Sequence, residues 1–295
     1  MGATISTSGI EQFRSDGFVV LRQFFGHEEI LEIRSVFEDL YARKVGVKEG
    51  AQFDVLKPTD TNAMTLGQLT NPSNFSPALR KTAFAGKAQE IAKQILGPES
   101  FCSGDFVLMK PGLQGAATPW HQDQAYEKLN YDYDQLTLWL PLQDVDEKSG
   151  CMQFVPGTHV GPIKPHRSPN DDFNAHSLEC CYTPSPEEIV SAPMSLGDCS
   201  IHDGRVLHGS PSNRSSMTRY AYILVFRNPT APPPTAAPYP WLKQRHDVVA
   251  ERRDAWYRRG GFFVLLWRKF RRGEFSNFSR IRLTFREAVV RFQRR

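Results

Sequence analysis

Hydrophobic positions along this chain change rhythm twice. Gly17-Phe-Val-Val-Leu-Arg22 is a short apolar run and reads as a strand. From His27 to Val45, Ile30, Ile33, Val36, Phe37 and Leu40 recur at helical spacing, which predicts a helix. Residues 46–80 are rich in Thr, Asn, Pro and Gly and show little periodicity, so the reading there is loop, and loops of that length are often functional. A second helix is expected over 85–96, stopped by Gly97-Pro98. Beyond residue 100 the pattern becomes short runs of β-branched and aromatic residues between turn-forming clusters. The runs are Phe101–Lys110, Gln135–Leu142, Cys151–Val155, Ser191–Ser195, Cys199–Asp203 and Met217–Arg227. Such runs predict an antiparallel sandwich or barrel. No long helix separates them, which disfavours a doubly wound parallel sheet.

The rhythm breaks at Pro229–Pro240, a proline-rich stretch that should be stiff and extended. The expected organisation is a β domain over 1–228, a connector over 229–240 and an extension over 241–295. Within the extension, Phe262, Phe263, Trp267 and Phe270 interleave with basic residues. Ile281, Phe285, Ala288, Val289 and Phe292 then give a basic amphipathic helical pattern. No internal repeat is visible.

Charge sharpens that division. Residues 241–295 hold 16 Lys/Arg against 5 Asp/Glu, a net +11, and the remainder holds 20 against 27, a net −7. A basic, aromatic segment is compatible with peripheral contact at an anionic membrane surface and with a helix packed on the body with its charges in solvent. No recognised nucleic-acid module accompanies the basic residues, which disfavours nucleic acid. At 40% hydrophobic residues, 295 residues can bury one large core. No run of eighteen apolar residues occurs, and the start lacks a basic, apolar signal, though Met1-Gly-Ala-Thr-Ile-Ser fits the loose N-myristoylation pattern. Five cysteines without Cys-x-x-Cys spacing favour reduced thiols, hence a cytoplasmic protein.

The chemistry concentrates in Thr118-Pro-Trp-His121-Gln-Asp123. In a strand, residues two apart share a face, so His121 and Asp123 can reach one metal. A histidine from a distant strand would complete a facial triad, leaving positions open as in non-haem iron(II) oxygenases. Two candidates follow in Gly197-Asp-Cys-Ser-Ile-His202-Asp-Gly-Arg-Val-Leu-His208-Gly-Ser210. Downstream, Arg214 lies in a polar turn, whereas Arg219 shares a strand face with Ala221, Ile223 and Val225. An arginine aimed into an apolar wall requires an anionic partner.

These strings resemble the phytanoyl-CoA dioxygenase family of iron(II)/2-oxoglutarate oxygenases. That family shows Thr-Pro-x-His-Gln-Asp, then Gly-Asp, His-Gly-Ser and Asn-Arg-Ser, and an arginine eleven residues after the distal histidine, as Arg219 follows His208 here. Leu136–Leu142 and Gly150–His159 match its habit, and the likeness spans about residues 10–228. It implies a mainly β fold with flanking helices, a double-stranded β-helix or jelly roll. It also implies iron(II) on His121, Asp123 and His208, with His202 packing beside the site. Arg219 would pair with the distal carboxylate of 2-oxoglutarate, with Ser210 adding a hydroxyl and Trp139 lining the pocket. Dioxygen is the further cosubstrate, and succinate and carbon dioxide are products. Related halogenases lack the carboxylate, so Asp123 favours hydroxylation or a related oxidation such as desaturation.

The substrate is expected to be a small or amphiphilic molecule, framed by residues 46–80 and 160–190 (Asp60, Asn62, Gln68, Asn71, His166, Arg167, Asn170, Asp171 and Asp172). His159, His166 and His176 lie near turns, where surface placement is the default. Two rival readings keep the scaffold. One is a zinc hydrolase, in which Arg219 would have no task. The other is a non-catalytic jelly roll, which the complete ligand set disfavours.

Overall fold

A computed structural model describes residues 4–58, 64–261 and 263. The chain divides after Val249 into two units. In the first, helix α1 (Thr7–Asp16) precedes strand β1 (Phe18–Leu21) and helix α2 (His27–Ala42). Strands β2 (Gln52–Asp54) and β3 (Gly67–Thr70) lead to helix α3 (Ala83–Leu96). Strands β4 (Phe101–Lys110), β5 (Thr118–His121), β6 (Gln135–Pro141), β7 (Met152–Val155), β8 (His166–Arg167) and β9 (Glu179–Cys180) follow. The last strands are β10 (Val190–Ala192), β11 (Cys199–Asp203), β12 (Leu207–Ser210) and β13 (Arg219–Arg227). Helix α4 (Val248–Trp256) runs across the division.

Two antiparallel sheets make the jelly roll, one ordered β1-β11-β6-β13-β4-β3-β2 and the other β10-β7-β12-β5. The period-two alternation of β13 explains how the large sheet is used on both faces. Tyr220, Tyr222, Leu224 and Phe226 point outward and bury Ile30, Ile33 and Phe37 of α2 and Phe84, Ala88 and Ile91 of α3. Ala221 and Ile223 point inward with Trp139, Met152 and Phe154 between the sheets. Each large apolar side chain so buried stabilises the fold by roughly 1.5–3 kcal/mol. The outer core anchors the sheet to the helices.

The structure amends the sequence reading at three places. Helix α1 was not anticipated because only Phe13 of it is buried, which leaves no apolar stripe to detect. Its end is set by Gly17, which closes the helix at φ 82°, a left-handed conformation that glycine adopts without a Cβ penalty. The aperiodic stretch 46–80 contains β2 and β3, polar strands of three and four residues formed by pairing in series on β4. His166, expected at the surface, is buried.

From the end of β13 to Val249 the chain stays with the first unit. Ala237 bridges to Asn130, Trp241 donates its indole N–H to the Ala125 carbonyl at 3.0 Å, and the Trp241 ring stacks on Tyr239. Val249 packs with Phe53, Val55 and Leu66. Met1, Asp60, Asn62, Phe262 and the patterned residues from Trp267 onward lie outside the described residues, so the expectations placed on them have no structural counterpart. Among the described residues no helix is long and apolar enough to cross a membrane.

Candidate metal and cosubstrate site

Strand pairing builds the metal site. β12 runs antiparallel to β5 with His208 directly opposite His121, so one cross-strand pair supplies two imidazoles 4.2 Å apart between ring centres. β5 ends at His121, and Asp123 opens a short 3-10 turn rather than continuing the strand. Gln122 between them is still extended (φ −115°, ψ 130°), so both side chains leave on the same side. The Asp123 Oδ1 lies 3.6 Å from His121 Nε2 and 3.5 Å from His208 Nε2. One ligand atom from each of the three side chains falls within 4.8 Å of the others.

The imidazoles are prepared for a cation. His121 Nδ1 donates to the Pro119 carbonyl at 2.8 Å and His208 Nδ1 to the Val206 carbonyl at 3.0 Å. A carbonyl can only accept, so a proton sits on each Nδ1 and Nε2 is the ring nitrogen left to face a metal. Burial, and then the neighbouring His121 and His202, push His208 well below its ordinary value. Burial alone would raise Asp123, but the imidazoles around it outweigh that and hold it well below the usual carboxylate range. Its second oxygen, Oδ2, accepts from Thr137 Oγ1 at 2.7 Å, which leaves Oδ1 for the metal. Two imidazoles and a carboxylate with open positions fit iron(II). Gly209 permits the close approach of β12 to β5, for a Cβ there would stand 3.0 Å from the Thr118 carbonyl oxygen.

Beside the triad lies a pocket of unneutralised positive charge. Arg219 is 1% exposed and faces inward from β13. It donates to the Gly150 carbonyl at 3.1 Å and to Ser210 Oγ at 3.4 Å, with its guanidinium over the Trp139 ring at 5.2 Å. Its Nε and Nη1 are buried with no partner among the described residues. Directly opposite across the β13–β4 ladder stands Lys110, 0% exposed, which donates to Ser210 Oγ at 2.6 Å and to the Ser210 and Pro211 carbonyls. Burial lowers Arg219 to about 10, and burial followed by Arg219 drives Lys110 well down. Like charges directly opposite on a sheet repel, and an unpaired buried charge costs several kcal/mol. No carboxylate among the described residues forms an ion pair with either cation. Arg219 keeps Nε and Nη1 unpartnered, and its planar fork suits a carboxylate, while Lys110, its donors spent on Ser210 and Pro211, stands beside it.

Lys110 is the side chain of the candidate site that the sequence reading missed. The signal was present, since Lys110 ends a strand whose inward positions include Phe106 and Leu108, the same anomaly that marks Arg219. The remaining candidates separate by position. His202 is 1% exposed, with Nε2 3.5 Å from Asp123 Oδ2 and a ring against Phe154 and His208. It lies behind the carboxylate and outside the three-ligand cluster. Arg214 is exposed. Asn213 is buried and ties the turn after β12 to the Lys110 and Met217 carbonyls.

Residues 13–221 match the family model described as phytanoyl-CoA dioxygenase. A probable alpha-ketoglutarate-dependent hypophosphite dioxygenase of Stutzerimonas stutzeri is 27% identical over 216 residues, covering 70% of this chain and 73% of that protein. The peroxisomal phytanoyl-CoA dioxygenase of Rattus norvegicus is 24% identical over 220 residues, and the match spans 71% of this chain and 64% of the rat protein. Among solved structures, EvdO2 from Micromonospora carbonacea var. aurantiaca, complexed with 2-oxoglutarate, superposes with a TM-score of 0.67 at 26% identity, covering 82% of this chain and 97% of that one.

Proposed function

This chain belongs to the phytanoyl-CoA dioxygenase family and is an iron(II)/2-oxoglutarate-dependent dioxygenase, and on that premise we propose that it hydroxylates an unactivated C–H bond of a small or amphiphilic metabolite. In this reading His121, Asp123 and His208 hold the iron. Arg219, Lys110, Ser210 and Trp139 hold 2-oxoglutarate by its distal carboxylate. Bound iron(II) supplies oxygen activation coupled to oxidative decarboxylation of 2-oxoglutarate to succinate and carbon dioxide. The protein's own part is positional. The Nδ1 hydrogen bonds fix both imidazoles, Thr137 fixes the carboxylate, and Arg219 with Lys110 fixes the cosubstrate. The inner core around Trp139 and Phe154 keeps water from the reacting centre.

The single observation that carries the reading is the Lys110–Arg219 pair without an internal anion. A zinc hydrolase would have no use for it. Anaerobic addition of iron(II) and 2-oxoglutarate should give a weak visible charge-transfer band, and a succinate-release screen across metabolite classes should identify the substrate. Metal-replete protein with neither the band nor affinity for 2-oxoglutarate would sink the proposal. The basic extension adds a proposed contact with anionic membrane. Co-sedimentation with anionic liposomes that is unchanged on deleting residues 264–295 would remove that part alone.

A further inference from the structure

We propose that Arg245 reads an anionic group on the substrate, so that the molecule oxidised carries a carboxylate or phosphate beside an aromatic or apolar body. This deepens the proposed function and rests on it. The observation is a second guanidinium with a buried, unpartnered nitrogen, among residues distinct from those of the 2-oxoglutarate pocket. Tyr126 stands edge-on to the metal ligand His121, ring centres 5.7 Å apart at 89°. Arg245 lies over the Tyr126 ring, its guanidinium carbon 5.9 Å from the centre. The cation is therefore two ring contacts from a metal ligand, a separation that one small molecule can bridge.

Its surroundings do not neutralise it. One terminal nitrogen, Nη2, donates to the Ala175 and His176 carbonyls, which fixes the guanidinium plane. Nε is buried with no partner, and no carboxylate among the described residues forms an ion pair with Arg245. Asp247, two residues on, acts on it through its charge. Aromatic side chains cluster beside it, with the Phe53 and Tyr126 ring centres 4.9 Å and 6.2 Å from that of His176. A guanidinium held flat by backbone carbonyls, with donors left over and aromatic rings around it, is suited to a planar anion joined to an apolar body. The backbone delivers it there. Trp241 pins the returning segment to Ala125, and the His246 N–H donates to the Phe173 carbonyl at 2.9 Å.

The test uses the full chain loaded anaerobically with iron(II) and saturating 2-oxoglutarate, so that Arg219 and Lys110 are already occupied. Equilibrium dialysis measures phenylacetate, phenyl phosphate and the neutral phenylacetamide. At least tenfold tighter binding of one anion over the amide is expected, and the better anion names the group. Arg245→Gln should abolish that preference by weakening the anion alone, and Arg245→Lys should restore part of it. Equal binding of anion and amide, binding of none of the three, or a preference that survives Arg245→Gln overturns the proposal. So does equal weakening of all three probes, which would mark Arg245 as a structural tie. The charge-transfer band before any probe is added reports the iron/2-oxoglutarate reading separately.

Discussion

Replacing Arg219 by methionine should move stability and cosubstrate affinity in opposite directions. Without 2-oxoglutarate, Arg219 is a buried cation facing Lys110, with two nitrogens unsatisfied. Methionine keeps much of the volume, removes the repulsion and gives up the hydrogen bonds to Gly150 O and Ser210 Oγ and the cation contact with the Trp139 ring. Exchanging buried ionic groups for apolar ones of similar size stabilises by about 1–4 kcal/mol. Taking about 1 kcal/mol, since two hydrogen bonds are lost, the apparent Tm should rise by about 2–4 °C for a unit of this size. In 2-oxoglutarate the sign should reverse. Wild type gains about 2.7 kcal/mol at a hundred times its Kd, and the variant gains little. Truncating one partner of a buried charge pair costs about 3–5 kcal/mol, of which Lys110 recovers part, so the Kd should weaken about a hundredfold. Thermal melts with and without 2-oxoglutarate, paired with an anaerobic titration of the charge-transfer band, read both numbers. A variant that melts lower without ligand while retaining wild-type affinity would refute the account of the pocket as an unneutralised anion site.

Three further outcomes follow from the same geometry. His208→Ala should lose bound iron and the charge-transfer band, whereas His202→Ala should retain iron, as measured by metal content after desalting; the opposite pattern would reverse the ligand assignment. Thr137→Val removes the 2.7 Å hydrogen bond to Asp123 Oδ2 and should weaken iron binding about 10–100-fold, read by competition with a chelating dye. His166 is buried, and that burial lowers it to about 4 despite its hydrogen bond to the Lys164 carbonyl. Its folded value lies below the ordinary 6.5, so the stability it contributes is complete above pH 6.5 and is lost as pH falls toward 4. His166→Gln should flatten the stability profile in that window by one proton, about 1.4 kcal/mol per pH unit, in denaturation curves of the metal-free protein.

What the sequence made legible was whatever its own periodicity or composition encodes. β4 and β11 were readable residue for residue, because each is a run of strand formers bounded by turns. The inward stripe of β13 was readable because Ala221 and Ile223 alternate with tyrosines, and that alternation exposed Arg219 as an anomaly. β2 and β3 were not readable, since Gln52, Gln68 and Thr70 carry no apolar pattern and their pairing depends on β4. The cross-strand partners were invisible for a similar reason. Lys110 and Arg219 lie 109 positions apart, and only register places them opposite each other. The return of Trp241 and Arg245 to the metal side of the fold is likewise a tertiary fact that a proline-rich composition does not announce.

The middle residue of the His121-Gln-Asp123 string is no idle spacer. Its backbone N–H is taken by His166 Nε2, its side-chain amide donates to the Arg205 carbonyl, and its side-chain oxygen accepts from the Lys164 N–H. One residue thus fastens the ligand pair to both the stretch entering β8 and the turn between β11 and β12. Any displacement of residues 164–166 is applied through a rigid three-point linkage to the two side chains flanking Gln122. The metal centre and that segment then act as one mechanical part. A single-atom change to glutamate would set two acceptors against each other at Arg205 and work the joint loose from its centre.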